Sequence, residues 1–204
     1  MSTQILWFAT RGSGVVSLIL FSTVACLGLL GVARAHSTAW PRFLTVQLHR
    51  NLALVSVAFL VLHIVTAILD PFTSLGIAAA VIPLASSYRP LPVALGVISV
   101  DLVLAIIVTS LLRDRIGHRT WRLVHWAAYG AWPLAVLHTL YAGSDSLAPW
   151  MLAVTVACVF AVGACLLWRL TTGTNRSRLA AVTAGTADPV AVPSAWDPGP
   201  WSND

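Results

Sequence analysis

Long apolar segments alternate with short polar ones along most of the chain. Five of them are long enough to cross a bilayer, since a spanning helix needs about 20 predominantly apolar residues. None alternates between polar and apolar positions as the strands of a membrane barrel do. The sequence therefore predicts an all-α, polytopic membrane bundle of about five transmembrane helices, over residues 13–33, 45–69, 91–112, 121–142 and 149–170.

The segments outside these runs differ in character. Residues 71–90 are apolar but interrupted by prolines, which predicts a loop with a short helix lying on the membrane surface. Residues 171–204 are rich in Thr, Ala, Pro, Ser and Gly and are predicted to form a disordered cytoplasmic tail. The predicted organisation is thus a membrane domain over 1–170 followed by a tail over 171–204.

Composition agrees with a membrane protein. The chain is 58% hydrophobic and only 9% charged, whereas soluble domains are about 25% charged. Its net charge is +5, but the arginines lie between apolar runs and form no dense patch, so the expected partner is the lipid bilayer and not nucleic acid. The three cysteines lie inside apolar runs without metal-site spacing, which predicts buried thiols and no disulfide.

The arginines also predict the orientation. Three groups of them fall between the first and second runs, between the third and fourth runs, and after the fifth run, whereas the opposite ends carry only Arg11 and Arg89. By the positive-inside rule the N-terminus faces outward and the C-terminus faces the cytoplasm of a plasma-membrane protein. It follows that the second and fourth helices run in the same direction.

The start of the chain permits a second interpretation. Ala33-Arg34-Ala35 after an apolar run resembles a signal-peptide cleavage site. Cleavage there would leave the arginine-rich linker outside, which the positive-inside rule opposes, so we expect the first helix to be retained.

Four histidines lie inside predicted spans, where ionisable side chains are costly and usually functional. His49 and His63 are separated by fourteen positions in the second run, and His125 and His138 by thirteen in the fourth. Each spacing corresponds to about 20 Å along a helix. A step of fourteen returns to nearly the same helix face, but a step of thirteen falls short by more than a third of a turn, and a change of winding near Pro133 could correct the difference.

Parallel helices bring like depths together, so His49 is expected to face His125 near the cytoplasm and His63 to face His138 further out. Two imidazoles facing each other across a bundle are suitable axial ligands for haem iron, which predicts two b-type haems inside the bundle. His49 lies nearest the interface and is the ligand we expect to be held least well. Two other interpretations are hydrogen bonds between helices and a zinc or copper site, although no Cys or carboxylate lies beside either pair in the sequence.

The segments LHRNLALVSVAFLVLHIVTAILD and RDRIGHRTWRLVHWAAYGAWPLAVLHTLYA resemble the ferric reductase-like transmembrane domain. That superfamily includes ferric reductases, NADPH oxidases and the membrane haem subunit of a periplasmic methionine sulfoxide reductase system. The opening TRGSGVVSLILF resembles its R-x-x-G helix start. The family has six helices with histidines on the third and fifth, so the five runs here would correspond to loss of the first helix.

The resemblance implies an electron conduit. Residues 171–204 are too few for the flavin and nicotinamide domain of larger members and have no Gly-rich fingerprint. The expected donor is therefore a separate cytoplasmic flavoprotein or iron–sulfur protein, and the expected acceptor is extracytoplasmic or a quinone. A quinone-linked cytochrome b subunit and a haem-free His/Asp proton-coupled transporter are the other functions compatible with the sequence.

Other polar residues have predicted roles near the haems. Arg50 and Arg122 lie close in sequence to the inner histidines and are expected to contact haem propionates, and Arg89 with Tyr88 is expected to do so at the outer level. Asp101, in the middle of the third run, is expected to accept a hydrogen bond or to handle protons.

Overall fold

The computed structural model describes residues 3–32 and 42–185, and these form seven helices and no strand. The helices are α1 (Thr3–Val32), α2 (Arg42–Leu69), α3 (Ile77–Val81), α4 (Pro90–Leu111), α5 (Arg113–His125), α6 (Ala128–Ala142) and α7 (Pro149–Gly185). The predicted all-α membrane bundle is confirmed. Residues 33–41, including the proposed cleavage site, lie outside the described residues.

Four of the helices are long and apolar enough to cross a membrane within the described residues, namely Gln4–Gly31, Phe43–Leu69, Pro90–Leu111 and Pro149–Thr172. They correspond to the first, second, third and fifth predicted runs, although α1 begins well before its run. The fourth run is divided between α5 and α6, so neither piece alone meets that length. The protein is a multi-pass membrane protein.

The division of the fourth run is a local tightening of the helix. The amides of Ala127, Tyr129 and Gly130 donate to carbonyls three positions back, which is 3₁₀ winding. Pro133 follows within α6; it lacks the N–H that would bind the carbonyl of Tyr129, and its ring crowds that carbonyl. The predicted change of winding is therefore present, and it lies just before the proline.

The loop between α2 and α4 contains only the short helix α3, as predicted for residues 71–90. At the other end of the chain, α7 continues to Gly185, so the predicted boundary at 170 does not end the helix. The remainder of the tail predicted over 171–204, from 186 onward, lies outside the described residues.

Helix α1 is central: it packs along α2 and α7 and touches α6, and α4 packs along α6 and α5. The two histidine-bearing segments, α2 and α5–α6, are not among the closely packed pairs of the described helices. A buried cluster of Leu18, Val136 and Cys158 joins α1, α6 and α7, with Trp132 packed against it. Trp132 also donates to the Ser22 hydroxyl at 3.0 Å, which fixes α6 to α1 midway between the two histidine levels.

Candidate functional site: two facing histidine pairs

The four intramembrane histidines form two facing pairs. The ring centres of His49 and His125 are 6.3 Å apart, and those of His63 and His138 are 6.2 Å apart. The lower-numbered histidine of α2 thus faces the lower-numbered one of the other segment. This pairing requires the two segments to run in the same direction, as the distribution of arginines predicts.

The separation within each pair fits a metal between the rings. A ring nitrogen binds a transition metal at about 2.0–2.1 Å and lies about 1.2 Å from the ring centre, so two rings on opposite sides of one metal have centres about 6.4 Å apart. The observed separations, 6.3 and 6.2 Å, are only slightly shorter. Two imidazoles therefore fit one metal at each level.

The ligand count distinguishes haem from a bare ion. Zinc and copper sites use three or four protein ligands. Among the described residues no group of three or more His, Cys, Asp or Glu could hold a metal, so neither pair has a third ligand there. A porphyrin supplies four nitrogens itself and needs only two axial imidazoles, which is what each pair offers.

Three of the four rings are fixed by a hydrogen bond to backbone. The Nδ1 atoms of His49, His63 and His138 lie 3.0, 2.9 and 2.8 Å from the carbonyl oxygens of Val24, Thr10 and Pro92. A carbonyl can only accept, so in each ring Nδ1 carries the proton and donates. In the neutral ring Nε2 then keeps its lone pair, which is the arrangement of a metal-binding histidine.

A glycine lies beside each of these three rings. A Cβ on Gly14 would be 2.9 Å from His63 Nδ1, and one on Gly96 would be 2.6 Å from His138 Nδ1. A Cβ on Gly28 would be 3.5 Å from His49 Cε1, which is ordinary contact. Each glycine lies one helical turn after the accepting carbonyl, at the fourth position along, on the same helix face. We name this unit, a carbonyl with a glycine at the fourth position after it, the carbonyl–glycine cradle.

His125 has no such cradle. Its Nδ1 is buried without a hydrogen-bond partner. The ring instead stacks on Trp121, with centres 5.0 Å apart and planes 29° apart. Trp121 in turn donates from Nε1 to the Ser110 hydroxyl at 3.1 Å.

A cavity that is partly open to the surroundings extends from the outer pair. Its polar residues include Thr10, Arg11, Asp70, Tyr88 and Asp145. Arg11 forms an ion pair with Asp145, which connects α1 to the loop after α6 at the end of the cavity. Open space therefore adjoins the outer pair at His63 and His138.

The arginines predicted to contact propionates differ in their surroundings. Arg50 and Arg122 are exposed, beside the inner histidines along the chain but with no hydrogen bond or ion pair among the described residues. Arg89 donates to the carbonyls of Tyr141 and Gly143 at 2.8 and 3.1 Å, and its guanidinium lies over the Tyr88 ring.

Asp101 forms no hydrogen bond or ion pair with the intramembrane histidines among the described residues. It is exposed on α4, and it has no hydrogen bond or ion pair within the described part of the chain. The Nδ1 protons of three histidines go to backbone carbonyls instead. The structure therefore does not give Asp101 the predicted contact as an acceptor, and a relay joining it to the histidines has no structural support.

Sequence reasoning missed the residues that hold the rings. In the sequence, Arg11 and Gly14 stand out only as the R-x-x-G motif, and Gly28 and Gly96 are not distinguished from other glycines of the apolar runs. One signal was present: Gly14 and Gly28 have the same spacing along the chain as His49 and His63. Two helices with the same internal period are placed to meet at two depths.

The fold and the site define a multi-pass membrane helical protein with paired intramembrane histidines. Comparison with protein families gives a match to the ferric reductase like transmembrane component over residues 13–139. The match covers most of the chain, so the protein belongs to this family, whose members are generally haem-binding. No curated protein and no solved structure matches the chain.

Proposed function

We propose that the protein is a membrane cytochrome that carries electrons across the bilayer through two b-type haems. His49 and His125 hold the inner haem, and His63 and His138 hold the outer one. The observation that carries the proposal is the separation of the two ring pairs, 6.3 and 6.2 Å, repeated at two depths. Family membership supports the same function, since the family is a ferric reductase-like membrane component.

Each bound haem supplies one-electron redox chemistry at its iron. The chain supplies the ligands, their orientation and their spacing. The carbonyls of Val24, Thr10 and Pro92 orient three of the four rings by accepting the Nδ1 protons. The spacing of the two histidines on α2 sets the two levels about 20 Å apart along the helix.

The arginine distribution supports an orientation of the two levels relative to the cytoplasm. With the arginine-rich linkers in the cytoplasm of a plasma-membrane protein, the level of His49 and His125 is nearer the cytoplasm. Electrons enter there from a separate flavoprotein or iron–sulfur protein. They leave at the level of His63 and His138 to an extracytoplasmic acceptor or a quinone.

Haem content tests the proposal. The purified chain should contain two haems by pyridine haemochrome assay and show low-spin b-type bands when reduced with dithionite. His138→Ala should lose one haem, whereas His36→Ala, which removes a histidine of the linker between the first two predicted spans, should lose none. Wild-type protein without haem, or equal haem content in the two variants, would contradict the proposal.

A further inference from the structure

The three cradles predict where a fourth would lie. Helix α1 contributes the glycines of two cradles, Gly14 and Gly28, which are fourteen positions apart. The same step along α4, taken from Gly96, leads to Ser110. The position that would complete the inner pair is thus occupied by a residue with a Cβ and a hydroxyl.

Ser110 also occupies the carbonyl that such a cradle would use. In the three cradles the accepting carbonyl lies at the fourth position before the glycine, and the fourth position before Ser110 is Ile106. The Ser110 hydroxyl donates to the Ile106 carbonyl at 2.6 Å, and the Thr109 hydroxyl donates to the same oxygen at 3.2 Å. The Ser110 hydroxyl also accepts from Trp121 Nε1 at 3.1 Å.

This arrangement accounts for the state of His125. Its Nδ1 is the one intramembrane histidine Nδ1 without a hydrogen bond in the described part of the chain. Leaving a buried polar ring nitrogen unpaired is costly whether it is a donor or an acceptor, so the observed ring position is less favourable than those of the other three.

The segment that carries His125 is also less restrained. Helix α5 has no buried residue, and Gly117 within it has a φ of 80° and interrupts its helical geometry. Immediately after His125 the chain passes into the 3₁₀ turn before α6. His138 lies beyond that turn in α6, so the two histidines do not share one continuous regular helix.

We propose that His125 is an exchangeable ligand, so that the inner level is a binding site for a small diatomic ligand such as carbon monoxide or nitric oxide, whereas the outer level is closed to it. This inference rests on the proposed haem function. In the exchange the bond from His125 Nε2 to a bound haem iron would break, and the diatomic ligand would form a bond to the iron in its place. No electron is transferred, and no other reactant is needed.

The three observations on His125 all favour exchange at the inner level. The outer pair has two cradles, and His49 has one, so three ligands are held by a hydrogen bond and a close glycine. His125 has no cradle, so only its bond to the iron would resist displacement by another ligand. Stacking on Trp121 restrains the ring face but does not direct Nε2 toward the metal.

Carbon monoxide titration of the dithionite-reduced, full-length protein tests this. Half of the haem should bind carbon monoxide, with total haem measured on the same sample by pyridine haemochrome. Ser110→Gly removes the shorter of the two hydroxyl hydrogen bonds to the Ile106 carbonyl and also removes the Cβ, so carbon monoxide affinity should fall at least tenfold with unchanged haem content. Trp121→Leu removes the stack and should act in the opposite direction.

Two further variants keep the test decisive. Ala105→Gly, at an exposed position on α4, introduces the same helix-weakening residue and should bind carbon monoxide like wild type. If Ser110→Gly does not fold, Ser110→Ala removes only the hydroxyl and should lower affinity by a smaller factor. Binding to neither haem, binding to both, or wild-type affinity in the folded Ser110 variants would overturn the inference. Protein without haem would overturn the proposed function instead.

Discussion

Replacement of Gly14 by alanine separates a structural role for this glycine from a role in holding His63. A Cβ there would lie 2.9 Å from His63 Nδ1 and 3.0 Å from Cε1, whereas favourable carbon contacts are about 3.5–4.0 Å. The added Cβ is attached to the backbone of α1 and cannot move away. The His63 ring must therefore move by about 0.5–1 Å. That movement strains or breaks its 2.9 Å bond to the Thr10 carbonyl.

The expected magnitude combines two effects. Overpacking in a filled site costs about 1–3 kcal/mol, and a lost hydrogen bond costs about 0.5–1.5 kcal/mol. Together these lower the affinity of the outer level for haem by about 2–4 kcal/mol, which is roughly 30- to 1,000-fold. The inner level lies about 20 Å away along the helix and should be unaffected.

Gly12→Ala is the matched control. It lies close to Gly14 on α1, is exposed, and a Cβ there would meet nothing within 4 Å. Both substitutions make α1 intrinsically more helical by about 1 kcal/mol, so their difference reports the contact with His63. Haem content and a redox titration should show one haem in Gly14→Ala and two in Gly12→Ala. Identical haem content and potentials in both would refute the argument.

Three other results are expected. His63→Ala and His138→Ala should each lose the same haem, and the double variant should lose no more than either single one, because ligands of one iron act as a unit; loss of different haems, seen in redox titration, would exclude their pairing. Asp101→Asn should keep full haem content, since Asp101 contacts no described residue by hydrogen bond or ion pair, and a loss of haem would show a role that its exposure does not suggest. A reporter active only outside the cytoplasm, fused to the C-terminus, should be inactive, and activity would reverse the proposed direction of electron transfer.

The histidine pairing could be predicted because it depends on few quantities. Helix direction follows from the arginines, and depth follows from a rise of about 1.5 Å per residue. Neither requires knowledge of side-chain packing. These two quantities are enough to bring His49 to His125 and His63 to His138, which is the arrangement found.

Which of the four histidine rings are held most firmly by their neighbours could not be predicted in this way. By depth alone His49 is the weakest, since it lies nearest the interface. Its ring nevertheless donates to the Val24 carbonyl and lies against Gly28. His125, at the same level, has no bond to Nδ1. The difference depends on which residue of a third helix faces each ring, and such a contact is set by helix rotation that hydropathy does not report.

The turn that divides the fourth run into two short helices also changes the direction in which its two histidines point. A step of thirteen positions in regular helix covers about 1300°, which is about 140° short of the four turns that would place His125 and His138 on one face. A 3₁₀ residue turns about 120° instead of about 100°, so a stretch of about five residues recovers about 100° of this deficit. Within the stretch from Trp126 to Gly130, the amides of Ala127, Tyr129 and Gly130 make 3₁₀ hydrogen bonds, and Trp126 and Ala127 have ψ angles of −19°. The same turn that divides the segment into two short helices therefore turns both histidines toward α2.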